Sequence, residues 1–172
     1  MKLQTLIPAL SLCAALGPAW GQTPLPDFEA TALTGQTVTR ATLLGTPTVL
    51  IVTPSRAAAE QTREWAVALR DRTKTHGVKV RDVLAIDLPF FMSERDALGR
   101  AKEKIPKRYH DQTWLLAEAG LERTLGIPTD SGEAHVIVLD RQGSPIARVR
   151  GAPTPARIQE LEQALQQLKA AR

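Results

Sequence analysis

Three histidines, one cysteine and a serine at a strand-to-helix junction are the residues of this chain with the most chemical reach. His76, His110 and His135 stand far apart and lack the close spacing that metal ligation draws on, so each reads as a solvated or core-edge side chain. Ser55, His135 and Asp140 are the residue types of a hydrolytic triad, yet no Gly-x-Ser-x-Gly elbow surrounds Ser55. A glycine-rich phosphate loop and an EF-hand-like carboxylate ladder are also missing from the sequence. No metal and no cofactor are therefore expected. Trp65 and Trp114 fit apolar faces better than a ligand box.

The single cysteine, Cys13, falls in an N-terminal segment with its own logic. Lys2 supplies a positive charge, Leu3 to Leu16 is mostly apolar, and Ala19-Trp20-Gly21 puts small residues where a signal peptidase reads. Residues 1–21 are thus expected to be a cleavable export signal, with Gln22 the first mature residue and the protein periplasmic or secreted. The apolar run is shorter than a membrane span of about 20 residues, so no stable span is expected. Leu12 precedes Cys13 where a lipoprotein signal needs a small residue, which argues against lipidation. Cleavage after Gly21 leaves no thiol, which rules out disulfides, thiolate nucleophiles and cysteine-ligated metals in the mature chain.

About 150 mature residues, 22–172, suit one domain with its own core. The formal charge of +4 falls to +3 without Lys2, too little for a nucleic-acid footprint. The densest basic run, Arg100 to His110, is interrupted by Glu103 and reads as a solvated face.

The elements that must position any site follow from pattern. "PLPDFEATALTGQTVTRATLLG" opens with prolines and then alternates around Thr34-Gly35, which predicts a small hairpin. Val49 to Val52 is a continuous apolar run, predicted to be a central strand covered on both faces and flanked by parallel neighbours. Pro54 cannot extend it, and Ser55 is expected to cap a helix from Arg56 to about Thr75, with Trp65, Ala66 and Leu69 inward. Gly77 should end that helix, and "VKVRDVLAIDL" reads as the next strand, completing a parallel βαβ unit.

Ser93 caps a helix that stops before Pro106, and Thr113 to Glu118 is a short apolar run. "GLERTLGIP" reads as one or two helical turns. "HVIVLDRQGSPIARVRG" is a hairpin across Arg141-Gln142-Gly143. A final helix follows, with Thr154 as N-cap, Pro155 in its first turn, and Ile158, Leu161, Leu165 and Leu168 along the face that packs on the sheet.

This order, with its Pro-Asp-Phe entry segment, Thr-Gly turn, Leu-x-Gly before the first long strand and closing Asp-x-x-Gly hairpin, resembles the thioredoxin-like superfamily. The likeness is to exported thioredoxin-like and peroxiredoxin-like (redoxin) proteins and covers nearly the whole mature chain. It implies an α/β fold, a three-layer α/β/α arrangement with a mixed central sheet and an N-terminal β-hairpin. It also implies a Cys-x-x-Cys or a single peroxidatic cysteine at the strand-to-helix turn, where the helix N-terminus stabilises a thiolate. Here that turn carries Ser55, Arg56, Ala57, Ala58 and Ala59, and thiol-disulfide exchange needs an attacking sulfur. The resemblance further implies a cis-proline facing the turn. "GIPT" at Gly126 to Thr129 is similar, but "DSGEA" separates it from the following strand, so Pro128 is open to either a cis or an ordinary trans bond.

The expected function is a non-catalytic, assembly-type domain that binds a protein or peptide in the cell envelope. Pro54, Ser55, Arg56, Ile127 and Pro128 are the candidate contact residues. Some thioredoxin-like assembly factors, including one for mitochondrial ATP synthase, also lack the cysteine pair, and the Gln61…Trp65 spacing is a slight further likeness. The alternative is an enzyme, either a redoxin-type oxidoreductase using a non-thiol group or bound cofactor, or a hydrolase. Cofactor absorbance in the purified protein would distinguish it.

Overall fold

A computed structural model describes residues 24–86, 93–117 and 120–170. The export signal predicted over 1–21 lies outside these residues. Strands β1 (Glu29–Ala32) and β2 (Thr37–Thr39) form the entry hairpin, turned at Gly35 with φ 93°. After a 3₁₀ turn at Arg40–Leu43 come β3 (Thr48–Thr53), a 3₁₀ turn at Arg56–Ala58, α1 (Ala59–His76) and β4 (Lys79–Ile86). Then follow α2 (Glu94–Lys104), a 3₁₀ turn at Lys107–Tyr109, β5 (Thr113–Ala117) and a π-helical turn at Leu121–Leu125. Strands β6 (His135–Leu139) and β7 (Pro145–Arg150) make the closing hairpin before α3 (Pro155–Ala170).

All seven strands share one mixed sheet in the order β2-β1-β5-β4-β3-β6-β7. The expectation of parallel neighbours on both sides of β3 is corrected. Strand β4 is parallel to β3, but β6 is antiparallel, with His135 opposite Val52. Strand β5 ends at the end of the sheet where β6 begins, so β6 runs back antiparallel to β3. The short run at Thr113–Ala117 is a full member of the sheet, parallel to β4 and antiparallel to β1.

Every residue of β3 is buried, as its unbroken apolar pattern requires. Successive side chains point to opposite faces, which divides the core in two. Val49 and Ile51 meet Trp65 and Leu69 of α1 and Leu161 and Leu165 of α3. Leu50 and Val52 face Leu25, Leu43, Leu121 and Ile127, which come from the entry segment and the short turns. Helix α2 adds no fully buried residue and is tied to β1 by Thr31 Oγ1 donating to Glu94 at 2.5 Å.

The helix ends obey local chemistry. Gly77 sits at φ 63°, ψ 36°, the left-handed geometry that closes α1. Ser93 and Asp96 satisfy each other's backbone N–H groups at 3.2 Å in a capping box. At α3, Thr154 Oγ1 accepts from Arg157 N at 3.3 Å.

Candidate functional site

The β3–α1 junction is held from below. Thr53 Oγ1 donates to Thr62 Oγ1 at 3.0 Å, and Thr62 Oγ1 donates to the Ala58 carbonyl at 3.0 Å, fastening the end of β3 to the first turn of α1. Pro54 and Ala58 are buried, Ser55 is half-buried, and Arg56 and Ala57 are exposed. Ser55 has the extended backbone of an N-cap (φ −146°, ψ 172°), but its side chain caps nothing. This corrects the expected cap: Ser55 Oγ instead donates to the carbonyl of Ser131 at 2.8 Å, bridging to a loop 76 residues away.

That loop roofs the turn. Gln61 Oε1, on the second turn of α1, accepts the N–H of Ala134 at 3.0 Å. A Cβ on Gly132 would sit 3.8 Å from the Ala57 methyl, an ordinary van der Waals contact. Glu133 lies 3.7 Å from the Arg150 guanidinium. One helical turn below, Trp65 donates its indole N–H to the Gly151 carbonyl at 2.7 Å, which fixes the far end of β7 to α1.

The two candidate residues from "GIPT" part company. Ile127 has no exposed surface and packs with Leu50 and Val52, so its side chain is core and cannot be a contact. Pro128 is exposed, and its bond is trans; no cis peptide occurs among the described residues. The five residues between Pro128 and the buried Ala134 account for the difference from the cis arrangement that the resemblance implied. They let the chain turn over α1, with Ser131 N donating to the Pro128 carbonyl at 3.1 Å, before it enters β6.

The imagined triad is not assembled. His135 Nε2 meets Ser131 Oγ at 3.1 Å, not Ser55, and Asp140 caps the hairpin turn at the opposite end of β6 by accepting from Gln142 N and Ser144 N. His135 is only 7% exposed, and its Nδ1 is buried without a hydrogen-bond partner. Burial first, and then the nearby Arg148 charge, hold its imidazole below the usual histidine range, with Glu133 opposing. Burial therefore favours its neutral form. His110 is used structurally, its Nε2 against the Ile105 carbonyl at 2.8 Å.

Among the described residues, no three His, Cys, Asp or Glu side chains gather where a metal could be held. None of the described helices is long and apolar enough to cross a membrane. Sequence reasoning missed Ser131 and the bridging role of Gln61. The signal was present, since "DSGEA" is a polar insertion next to the turn, but which groups it would reach depends on the fold.

No protein-family model matches the chain, and no curated protein matches it. Solved structures do. BsSco, a member of the Sco family of cytochrome c oxidase assembly proteins, superposes with a TM-score of 0.61 at 10% identity, covering 87% of this chain and 95% of that one. The exposed lipoprotein thioredoxin Etrx1 of Streptococcus pneumoniae gives 0.57 at 16% identity, covering 83% and 100%. Copper-bound ScoI of Bradyrhizobium japonicum gives 0.54 at 18% identity, covering 85% and 99%. At these identities the likeness establishes the fold: the chain has a thioredoxin-like fold, with a mixed seven-stranded sheet and flanking helices. Its only cysteine is Cys13, far from the β3–α1 turn in sequence.

Proposed function

We propose that this protein is an exported thioredoxin-like domain that acts by binding rather than by thiol chemistry, as an assembly-type partner in the cell envelope. Its contact surface is the β3–α1 turn, through Ser55 and Arg56, together with the loop at Pro128. One observation carries the reading: the turn holds Ser55-Arg56-Ala57-Ala58-Ala59, so no sulfur is available where the helix N-terminus would activate one. The N-terminal pattern of Lys2, Leu3 to Leu16 and Ala19-Trp20-Gly21 supports export. Likeness in fold to BsSco, a member of a family of cytochrome c oxidase assembly proteins, supports the assembly-type part of the reading.

Arg56 is exposed at the first turn of a helix, where a guanidinium and backbone N–H groups together suit a carboxylate or carbonyl of a partner. The test is a pull-down from envelope extract with mature protein and its Arg56→Glu variant. Capture of a specific partner that Arg56→Glu loses, without loss of folding, is the expected result. Equal capture by both proteins would move the surface elsewhere, and cofactor absorbance in the purified protein would overturn the non-catalytic reading. Fractionation should place a form beginning near Gln22 outside the cytoplasm; a full-length cytoplasmic protein would contradict export.

A further inference from the structure

We propose that the open edge of β7 is a second interaction surface, which takes an extended partner segment with two acidic residues flanking an apolar one as an added strand of the sheet. This surface is separate from the β3–α1 turn and does not depend on it.

Strand β7 ends the sheet and pairs on one side only, with β6. The Gly151 N–H donates to the Ala134 carbonyl at 2.8 Å. Arg150 lies opposite His135, Val149 opposite Val136 and Arg148 opposite Ile137. Antiparallel alternation then turns the backbone groups of Val149 toward β6 and those of Arg148 and Arg150 away from it. No described residue bonds to the main chain of either arginine on that open side. Each offers an N–H and a C=O to an incoming strand. The other edge strand, β2, has only three residues before the chain turns away at Arg40–Leu43, a length that discourages pairing. Strand β7 has six.

The side chains select the occupant. Arg148 and Arg150 share the sheet face of Ile137 and His135. Arg148 reaches the Gly126 turn, its Nη1 4.0 Å from where a Cβ on Gly126 would stand. Although Arg148 keeps exposed surface, partial burial holds its guanidinium below the usual arginine range, and no described carboxylate pairs with it. Arg150 has only exposed Glu133, at 3.7 Å. An incoming carboxylate supplies the counter-charge that Arg148 lacks. A second copy of this chain is a poor occupant, because pairing two β7 edges across both arginines sets at least one arginine opposite another, and like charges there destabilise. On the other face, Val149 shares an apolar cluster with half-buried Ile146 and with Ile158 of α3, so the residue between the two acidic ones is apolar.

The probe is a fluorescein-labelled peptide, Ser-Val-Glu-Val-Glu-Val-Ser, followed by fluorescence anisotropy with the full-length protein. N-methylation of both glutamates removes the N–H groups that meet the Arg148 and Arg150 carbonyls, and should weaken binding about tenfold or more. N-methylation of the central valine, whose N–H points away from β7, should change it by less than about twofold. The doubly substituted Arg148→Glu, Arg150→Glu protein should lose the glutamate peptide by about tenfold or more and bind the lysine counterpart, Ser-Val-Lys-Val-Lys-Val-Ser, with circular dichroism confirming an intact fold. That gain separates lost pairing from misfolding. No binding by the parent protein, equal effects of the two methylation patterns, or a substituted protein that folds but ignores the lysine peptide would each overturn the assignment. Sedimentation should find the parent protein monomeric; a dimer that the glutamate peptide disperses would mean that a second copy holds this edge, and would overturn the proposed occupant.

Discussion

Replacing Asp82 with asparagine should stabilise the protein more at neutral pH than in mild acid. Asp82 sits in β4 between Ile51 and Thr113, and strand alternation places it on the same face as Val80, toward the helices. Its Oδ1 is buried without a hydrogen-bond partner. Burial pushes the carboxyl from an ordinary value of 3.8 up to about 6. Between those two values the folded protein holds a proton that the unfolded chain has released, so stability falls as pH rises through this window. The gap of roughly two pH units corresponds to about 3 kcal/mol of destabilisation at pH 7 and about 1 kcal/mol at pH 4.5. Asparagine removes the charge but brings an amide that also needs partners, a cost of about 1–3 kcal/mol that does not vary with pH. The decisive quantity is therefore the pH dependence of the difference between Asp82→Asn and the parent protein. Urea unfolding at pH 4.5, 5.5 and 7 should show that difference moving by about 2 kcal/mol in favour of the variant as pH rises. A difference constant with pH, or one moving the other way, would mean that Asp82 is ionised and well solvated, and would refute the reasoning.

Other outcomes follow from the packing. Trp65→Phe loses the 2.7 Å bond to Gly151 and leaves a buried carbonyl unpaired, so chemical denaturation should show a loss of about 2–4 kcal/mol. Ile127→Ala should cost about 2–5 kcal/mol because it opens a hole in the core; a change below about 0.5 kcal/mol would be the mark of a surface residue instead. The tag-free, metal-free protein from Gln22 onward should show no insulin reduction and no peroxide consumption above a heat-killed control, since it carries no thiol.

Much of the fold was legible because its causes are local. The unbroken apolar run Val49 to Val52 can only be satisfied by cover on both faces, and β3 is buried throughout. Gly77, Ser93 and Thr154 mark helix ends through bonds and dihedrals reaching no more than a few residues along the chain. The pairing of β5 between β1 and β4 was not legible. A five-residue apolar strand announces burial but not its neighbours, and the direction of β6 depends on which end of the sheet the chain returns to.

The site divides along the same line. Composition by itself determined that the β3–α1 turn has no sulfur, because a missing atom cannot be supplied by folding. Pattern also placed Ser55 and Arg56 at the start of a helix. Only the tertiary structure decided that Ser55 reaches Ser131 rather than its own helix, that Gln61 accepts from Ala134, and that Ile127 is core while its neighbour Pro128 is exposed. The two bonds join groups 76 and 73 residues apart, whose separation is set by how β6 lies against β3 and how the loop crosses α1. Hydrogen bonds act over about 3 Å. A sequence states which groups can form them, and the fold alone brings a chosen pair within that reach.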